Sequence, residues 1–517
     1  MSEGAGGETS FLIREALQNG IVQDDRTPRD APFMLNMSNA KATPFGAVSP
    51  ERVTKPTGLG TLTYSWPFPQ LTQQEGVTLL MGSQTISTVN RSTFVPTSQT
   101  VYNAASQAST LTPAAGGTWQ VAAFRDLWFA SNGESLVFKV PSASSNKVLG
   151  TNDLNVQALC GANGNTRLIL GGLSGTWFSG SRWGVLLDTW RETLGVDAFG
   201  HKSMAFDEGW VVWGEQGGGD LAIPFHMLLV ALGVFGDAEF DKFDIRIMQS
   251  IERGEIGMCP ARDVGKIRAM KQLGERIAIY GANAISTLTP VGNRYRDEVE
   301  RWTGIHGRSA LNGTTRKHVW VDPEGRLYEW QLGEGIAVHN FTSRLVSASA
   351  EIVVSYDPTF GDFWISNGTY SYVWNGALGG PMDTKPSGMF RDSVQGLVGV
   401  GAGLDTTPVM DITVNVLGLN ETGFKYLTLG QAFMENLTGV KARIIKRDGW
   451  RETFITMPWF QFHDSGTVPL HGDSVEFKLQ MTGTVSGRDG RIQGIKLWYQ
   501  GNDRRFRRGT TGVQETA

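Results

Sequence analysis

The chain has 517 residues and a formal net charge of −4, with 65 glycines, 20 prolines, 16 tryptophans, 26 phenylalanines and two cysteines. Glycine stands well above its usual share of roughly 7%, while proline is ordinary and aromatics are plentiful; this excludes a disordered low-complexity chain and points to short strands joined by tight turns. The weak negative charge excludes a general nucleic-acid binder, and two cysteines outside any CxxC spacing exclude a disulfide framework.

The opening MSEGAGGETSFLIREALQNG has no basic segment followed by an apolar one, so it does not read as a signal peptide. Residues 1–52 are polar and rich in Asp and Arg around Asp24 to Asp30, with one short helical turn expected at Phe11 to Gln18. The rest has no folding periodicity and reads as an extended N-terminal arm, ordered only by packing on its own body or on a neighbour.

Residues 53–378 repeat a loose motif: a β-prone run, a break rich in Gly, Asn or Asp, and a second β-prone run. The copies are 77–89, 124–140, 166–178, 210–223, 276–290, 317–330 and 362–374. Asp322-Pro323-Glu324-Gly325 and Asn367-Gly368 supply the dihedrals a hairpin tip requires. Such hairpins fit the blades of a β-propeller of six or seven blades, each sheet stacking aromatics on the next, with a stacked β-sandwich as the alternative. Within this span the apolar stretch from Pro224 to Phe235, broken by His226 and Gly233, is too short to cross a bilayer. Phe240, Phe243, Ile247, Met248 and Ile251 recur at helical spacing ahead of Gly254, which predicts a helical insertion over about 240–253.

Residues 379–405 are Gly-rich and read as a linker. Clean alternation then returns at Asp411 to Val416, Val440 to Ile445, Thr453 to Phe460, Val475 to Met481 and Ile492 to Tyr499. Residues 406–517 therefore read as an antiparallel β-sandwich with a basic tail. The expected fold class is all-β, a propeller-like body followed by a C-terminal sandwich.

No phosphate-binding loop, HExxH or GxSxG is present, and the seven histidines never stand in a ligand-spaced pair. Asp126, Asp207, Glu208, Asp322 and Asp357 lie near strand ends, but Asp322 and Asp357 precede prolines and read as turn residues. No enzyme activity and no cofactor are expected. Two basic runs remain as subunit- or DNA-contacting candidates: Lys441, Arg443, Lys446 and Arg447 (with Arg451), and Arg504, Arg505, Arg507 and Arg508. Alternation puts Lys441 and Arg443 on one face and Ala442 and Ile444 on the other; a solvated face and a charged tail are the competing reading.

Ser65-Trp66-Pro67-Phe68-Pro69-Gln70-Leu71, the stretches YGANAISTLTP and GIHGRSALNGTTRKHVWVDPEGRLYEW, and the ending GRIQGIKLWYQGNDRRFRRG carry a resemblance over about residues 50–510. They resemble tail-nozzle or tail-hub proteins of short-tailed bacteriophages. The resemblance implies a homo-oligomeric ring, a hexamer, mounted below the portal and adaptor and above distal tail proteins. It would carry double-stranded DNA without reading its sequence, in a virion tail assembled in the host cytoplasm. A receptor-binding or glycan-binding or -cleaving tail propeller, and a head-tail connector or capsid-associated protein, are the alternatives.

Overall fold

The computed structural model describes residues 9–21, 34–55, the strands between 70 and 174, 210–215, and 249–339 apart from 251, 254, 262 and 293. It also describes 351–415 except 393–395, and 424–502 except 449–451 and 488. The chain is all-β, with a propeller-like body and an antiparallel sandwich.

Among the described residues, six four-stranded antiparallel sheets follow one another in chain order. Blade 1 is Gln70–Gln74, Val77–Met81, Thr85–Val89 and Pro96–Asn103; blade 2 is Gln120–Phe124, Leu127–Ser131, Leu136–Lys139 and Lys147–Leu149. Blade 3 is Asn155–Ala162, Arg167–Ser174, Trp210–Glu215 and Ile256–Pro260; blade 4 is Ile267–Leu273, Arg276–Gly281, Ile285–Val291 and Arg294–Arg301. Blade 5 is Leu311–Gly313, Lys317–Val321, Leu327–Gln331 and Ile336–His339; blade 6 is Val353–Asp357, Asp362–Ser366, Ser371–Trp374 and Leu378–Gly379.

Hydrophobic cores lie between neighbouring sheets. Tyr280 of blade 4 meets Trp320 of blade 5 edge-on at 5.2 Å, and Trp320 stacks on Tyr328 at 5.3 Å. Five of the sequence motifs are the second and third strands of blades 1, 2, 4, 5 and 6. The copies at 166–178 and 210–223 are not separate hairpins; both fall in blade 3. Arg167–Ser174 runs straight through Gly171-Gly172, paired on both sides. A Cβ on Gly171 would stand 2.7 Å from the Met270 sulfur, so this glycine serves the close approach of blade 4 rather than a turn.

The expected linker is a strand pair. Lys385–Asp392 and Gly396–Ala402 form an antiparallel hairpin, and Lys385–Asp392 packs between the first strands of blades 6 and 1. Thr54 adds to its other edge in parallel, giving its carbonyl to the Gly399 N–H (3.1 Å) and its N–H to the Leu397 carbonyl (2.9 Å). The chain entering blade 1 thus completes a seventh, smaller blade and closes the ring. Composition misled here because glycine permits close packing as readily as flexibility: a Cβ on Gly399 would stand 2.9 Å from a Val53 methyl.

Two hydrogen bonds tie blades that are not neighbours in the sheet order. Gln120 Nε2 of blade 2 donates to the Arg268 carbonyl of blade 4 (2.7 Å), and an Arg308 guanidinium N–H, on the segment entering blade 5, donates to the Ser131 carbonyl of blade 2 (3.2 Å).

The sandwich has two sheets. One orders Lys41–Thr43, Gly46–Val48, Arg491–Asn502, Phe424–Glu435 and Thr467–Ser474, with Thr9–Ile13 also paired to Arg491–Asn502. The other orders Met34–Ser38, Val409–Asn415, Glu476–Val485, Leu437–Arg447 and Ile455–Thr456, with Phe460–Gln461 also paired to Leu437–Arg447. The N-terminal arm is therefore an integral part of the sandwich: Ile13, Leu17, Met34, Met37, Ala42 and Ala47 share one buried core with Ile412, Ile444, Leu479 and Leu497. Its helix is Glu15–Asn19, overlapping the turn expected at Phe11 to Gln18, whose first residues, Phe11–Ile13, belong instead to the strand Thr9–Ile13. The helical insertion falls mostly outside the described residues; its last turn is seen at Gln249, Ser250 and Glu252, where the Arg253 N–H meets the Gln249 carbonyl at 3.0 Å.

The two modules are welded through the arm. Asn39, in a left-handed conformation (φ 51°), accepts the Asp383 N–H at its side-chain oxygen (2.7 Å). Its amide donates to the Asp383 carboxylate (2.7 Å) and to the Val409 carbonyl (3.0 Å). Lys41 forms a buried ion pair with Asp362 of blade 6. Arg391 of blade 7 holds Glu51 (2.7 Å) and Asp357 (2.9 Å).

Candidate interaction surface

The predicted basic residues divide by structure. Leu437–Arg447 is an inner strand of its sheet, so every second side chain faces the core: Ala442 and Ile444 are fully buried, and Lys441 is exposed, as alternation requires. Arg443 lies 4.3 Å over the ring of Trp459, and its Nε donates to Gln480 (2.8 Å). The Gln480 amide in turn donates to both Asp411 oxygens (2.9 Å each). This ladder fixes the Arg443 stem while stacking on an indole keeps the guanidinium at the surface.

Lys446 and Arg447 are consumed internally. Lys446 donates to the Asp473 carbonyl (2.8 Å) and carboxylate (3.3 Å), joining the two sheets at their edge. Arg447 pairs with the nearly buried Glu476, which raises the guanidinium pKa above its ordinary value. Arg447 and Lys478 flank the Phe454 ring at 4.7 and 3.9 Å. Lys446 and Arg447 are thus structural cations; Lys441 and Arg443, with Trp459 and exposed Ile455, make the outward basic-aromatic patch. Sequence spacing grouped all four because it carries no record of Asp473 and Glu476, which arrive from other strands. Arg451, Arg504, Arg505, Arg507 and Arg508 lie outside the described residues.

The turn carboxylates act as the sequence suggested. Asp322 Oδ1 accepts the N–H groups of Glu324 (2.9 Å) and Arg326 (2.8 Å), and Asp357 Oδ1 accepts that of Thr359 (3.0 Å). Asp126, Asp207 and Glu208 lie outside the described residues. Among the described residues no group of His, Cys, Asp and Glu is placed to hold a metal, and no helix is long and apolar enough to cross a membrane. Trp128, Trp213, Trp320, Trp364 and Trp374 all sit within blade strands, whereas Trp302, just beyond blade 4, is 71% exposed.

No protein-family model and no curated protein matches the sequence. Among solved structures, the chain is similar to the extracellular domain of a hybrid two-component system from B. thetaiotaomicron, at 9% identity and a TM-score of 0.41; 82% of this chain matches 47% of that one, less than half its length. It is similar to Kluyveromyces lactis Hsv2 (7% identity, TM-score 0.34, 64% and 83% covered) and to the Neurospora crassa Pan2 WD40 domain (7%, 0.35, 62% and 81%).

Proposed function

We propose that this chain is a structural subunit of the tail of a short-tailed bacteriophage, a nozzle or hub protein that assembles as a hexameric ring below the portal and adaptor. The observation that supports this most is the weld between modules. The N-terminal segment is a strand of the sandwich, and its Asn39, Lys41 and Glu51 bind blades 6 and 7, so propeller and sandwich move as one block. A ring that withstands packaged DNA needs such stiff units, joined by broad lateral contacts with aromatic and Arg anchors. The Lys441–Arg443–Trp459 patch has the composition of such a contact. Hydrogen bonds across the propeller axis imply that DNA would pass between subunits, around the ring axis, rather than through one propeller.

Mass photometry and negative-stain imaging of the purified protein test this reading. A closed ring with a central hole is expected; a monomer at every concentration, absent from isolated tails, would overturn it.

Exposed Trp302 favours a second reading, a glycan-binding tail propeller, because sugar rings stack on flat indole faces. Binding to host surface glycan that disappears in Trp302→Ala would select it.

A further inference from the structure

Blades 5 and 6 close against each other with their own side chains. The Trp374 indole N–H, on the third strand of blade 6, donates to Glu329 of blade 5 (2.7 Å). The His339 ring, on the outer strand of blade 5, packs 4.3 Å from the Trp374 ring, and Lys317 pairs with Glu329 (2.8 Å).

Between blades 4 and 5, beside the third-strand Trp330, there is instead a cleft of about 620 Å³. That volume lies within the range of small-molecule sites, roughly 300–1,000 Å³. Buried Leu273 of blade 4 and Trp330 of blade 5 line it, both members of the core between these blades. Leu332 and Ile336 of blade 5 add further apolar lining. The turn Gly333-Glu334-Gly335 also borders the cleft, and a Cβ on either glycine would meet nothing within 4 Å, so this turn does not cap the opening.

Four charged side chains line the cleft, and three of them are engaged. Arg276 and Glu300 stand 3.7 Å apart, and Glu300 also accepts the Thr287 hydroxyl (2.9 Å). Glu334 accepts the Gln331 amide (3.1 Å). The fourth, Arg301, lies 4.6 Å over the Tyr328 ring, which positions the guanidinium without neutralising it. Its Nε is buried without a hydrogen-bond partner, and among the described residues its guanidinium forms no ion pair. Unmatched buried atoms occur elsewhere in the blades; here the atom belongs to an uncompensated cation that lines a defined space.

Charge and lining together select a ligand class. One guanidinium in excess matches a monoanion, because Glu300 and Glu334 would repel a second negative charge. A carboxylate is planar and meets a guanidinium fork through two parallel hydrogen bonds. The apolar lining favours a ligand whose remaining surface is also apolar.

We propose that the cleft between blades 4 and 5 binds a small monocarboxylic acid with an apolar body. Arg301 holds the carboxylate, and Leu273, Trp330, Leu332 and Ile336 receive the body. The site lies within one subunit and depends on neither reading of the function.

Calorimetric titration of the whole protein with hydrocinnamate tests this, beside its neutral amide, hydrocinnamamide, and glucuronate, a carboxylate on a polar ring. Saturable one-to-one binding of hydrocinnamate is expected. The amide should bind about tenfold more weakly or worse, the loss expected for a charged hydrogen bond. Glucuronate should also bind about tenfold more weakly, since its hydroxyls would be desolvated against apolar lining. Arg301→Gln should bring acid and amide to equal affinity. Leu332→Ser, at a half-exposed side chain that the fold tolerates losing, should weaken both by about threefold to tenfold. No saturable hydrocinnamate binding, equal affinity for acid and amide in the wild type, or tighter binding of glucuronate would each overturn the proposal. So would an acid preference that survives in folded Arg301→Gln, or affinities unchanged in Leu332→Ser.

Discussion

Lys41, on the N-terminal hairpin of the sandwich, places its ammonium on the carboxylate of Asp362 in blade 6, and both are buried, at 5% and 1% exposure. The pair crosses the boundary between modules at a close approach, where a Cβ on Gly379 would lie 2.7 Å from the Ala40 carbonyl oxygen. Desolvation makes such a pair a poor source of net stability, yet removing one partner strands a buried charge. Lys41→Met or Asp362→Leu alone should therefore cost about 3–5 kcal/mol, and the double variant less than either. Denaturant melts of all four proteins decide it; simple additivity would show that the two residues do not act as a pair.

His318 sets a pH limit on the propeller. Its Nε2–H donates to the Gln272 carbonyl (3.0 Å), so Nδ1 accepts from the Tyr280 hydroxyl (2.7 Å), and the ring is neutral. Burial first, and then the nearby Lys271 charge, push its pKa down to about 3. The unfolded chain protonates this histidine near pH 6.5 while the folded chain does not. Stability is thus unaffected above about pH 6.5 and falls by up to about 1.4 kcal/mol per unit as pH drops from there toward the folded value. His318→Gln, which retains a donor and an acceptor, should flatten that slope in urea melts between pH 7 and 4. An unchanged slope would assign the acid loss to other groups.

The N-terminal segment belongs to the core, so its removal should unfold the sandwich rather than merely impair assembly. Leu17 is 0% exposed, and Leu17→Ala should cost about 2–5 kcal/mol as a buried large-to-small change. Leu12, 52% exposed on the adjacent strand, should tolerate alanine within about 0.5 kcal/mol. Deleting residues 1–40 should abolish the cooperative melt of the sandwich. A truncated protein that melts like the full chain would contradict the pairing of Thr9–Ile13 with Arg491–Asn502.

These outcomes reflect what a sequence pattern carries. The hairpins at 276–290, 317–330 and 362–374 were legible because strand, turn and strand are contiguous, and local alternation and turn chemistry record both partners. Blade 3 was not, because Trp210–Glu215 finds its next partner, Ile256–Pro260, beyond a long insertion. The arm was misread for the same reason: Thr9–Ile13 and Met34–Ser38 pair with strands from the other end of the chain. Phe424–Glu435 and Thr467–Ser474 passed unnoticed as strands, although the first shows near-alternate burial, because Gly430 and Gly472 blur the period. At the surface, alternation separated Lys441 and Arg443 from Ala442 and Ile444, but charge spacing alone could not tell a free cation from one already matched.

That last distinction is itself testable. Lys441 and Arg443 project outward, the first exposed and the second braced by Trp459 and Gln480 with guanidinium nitrogens to spare. Lys446 and Arg447 spend their charge within the sandwich, on Asp473 and Glu476. If the outward patch meets a neighbouring subunit, Lys441→Glu with Arg443→Ser should lower the monomer Tm only slightly, because Lys441 is exposed and the part-buried Arg443 gives up one hydrogen bond to Gln480 and its place over Trp459, together about 1–2 kcal/mol. The same pair should abolish ring formation in mass photometry, and high salt should weaken wild-type assembly in the same direction, since contacts between rim charges are screened. Lys446→Met and Arg447→Met should behave in the opposite way. Each leaves a partly buried carboxylate without its cation, so the Tm should fall, while any protein that remains folded should still assemble. A surface variant that assembles normally, or one that unfolds, would remove the patch from consideration as a subunit contact.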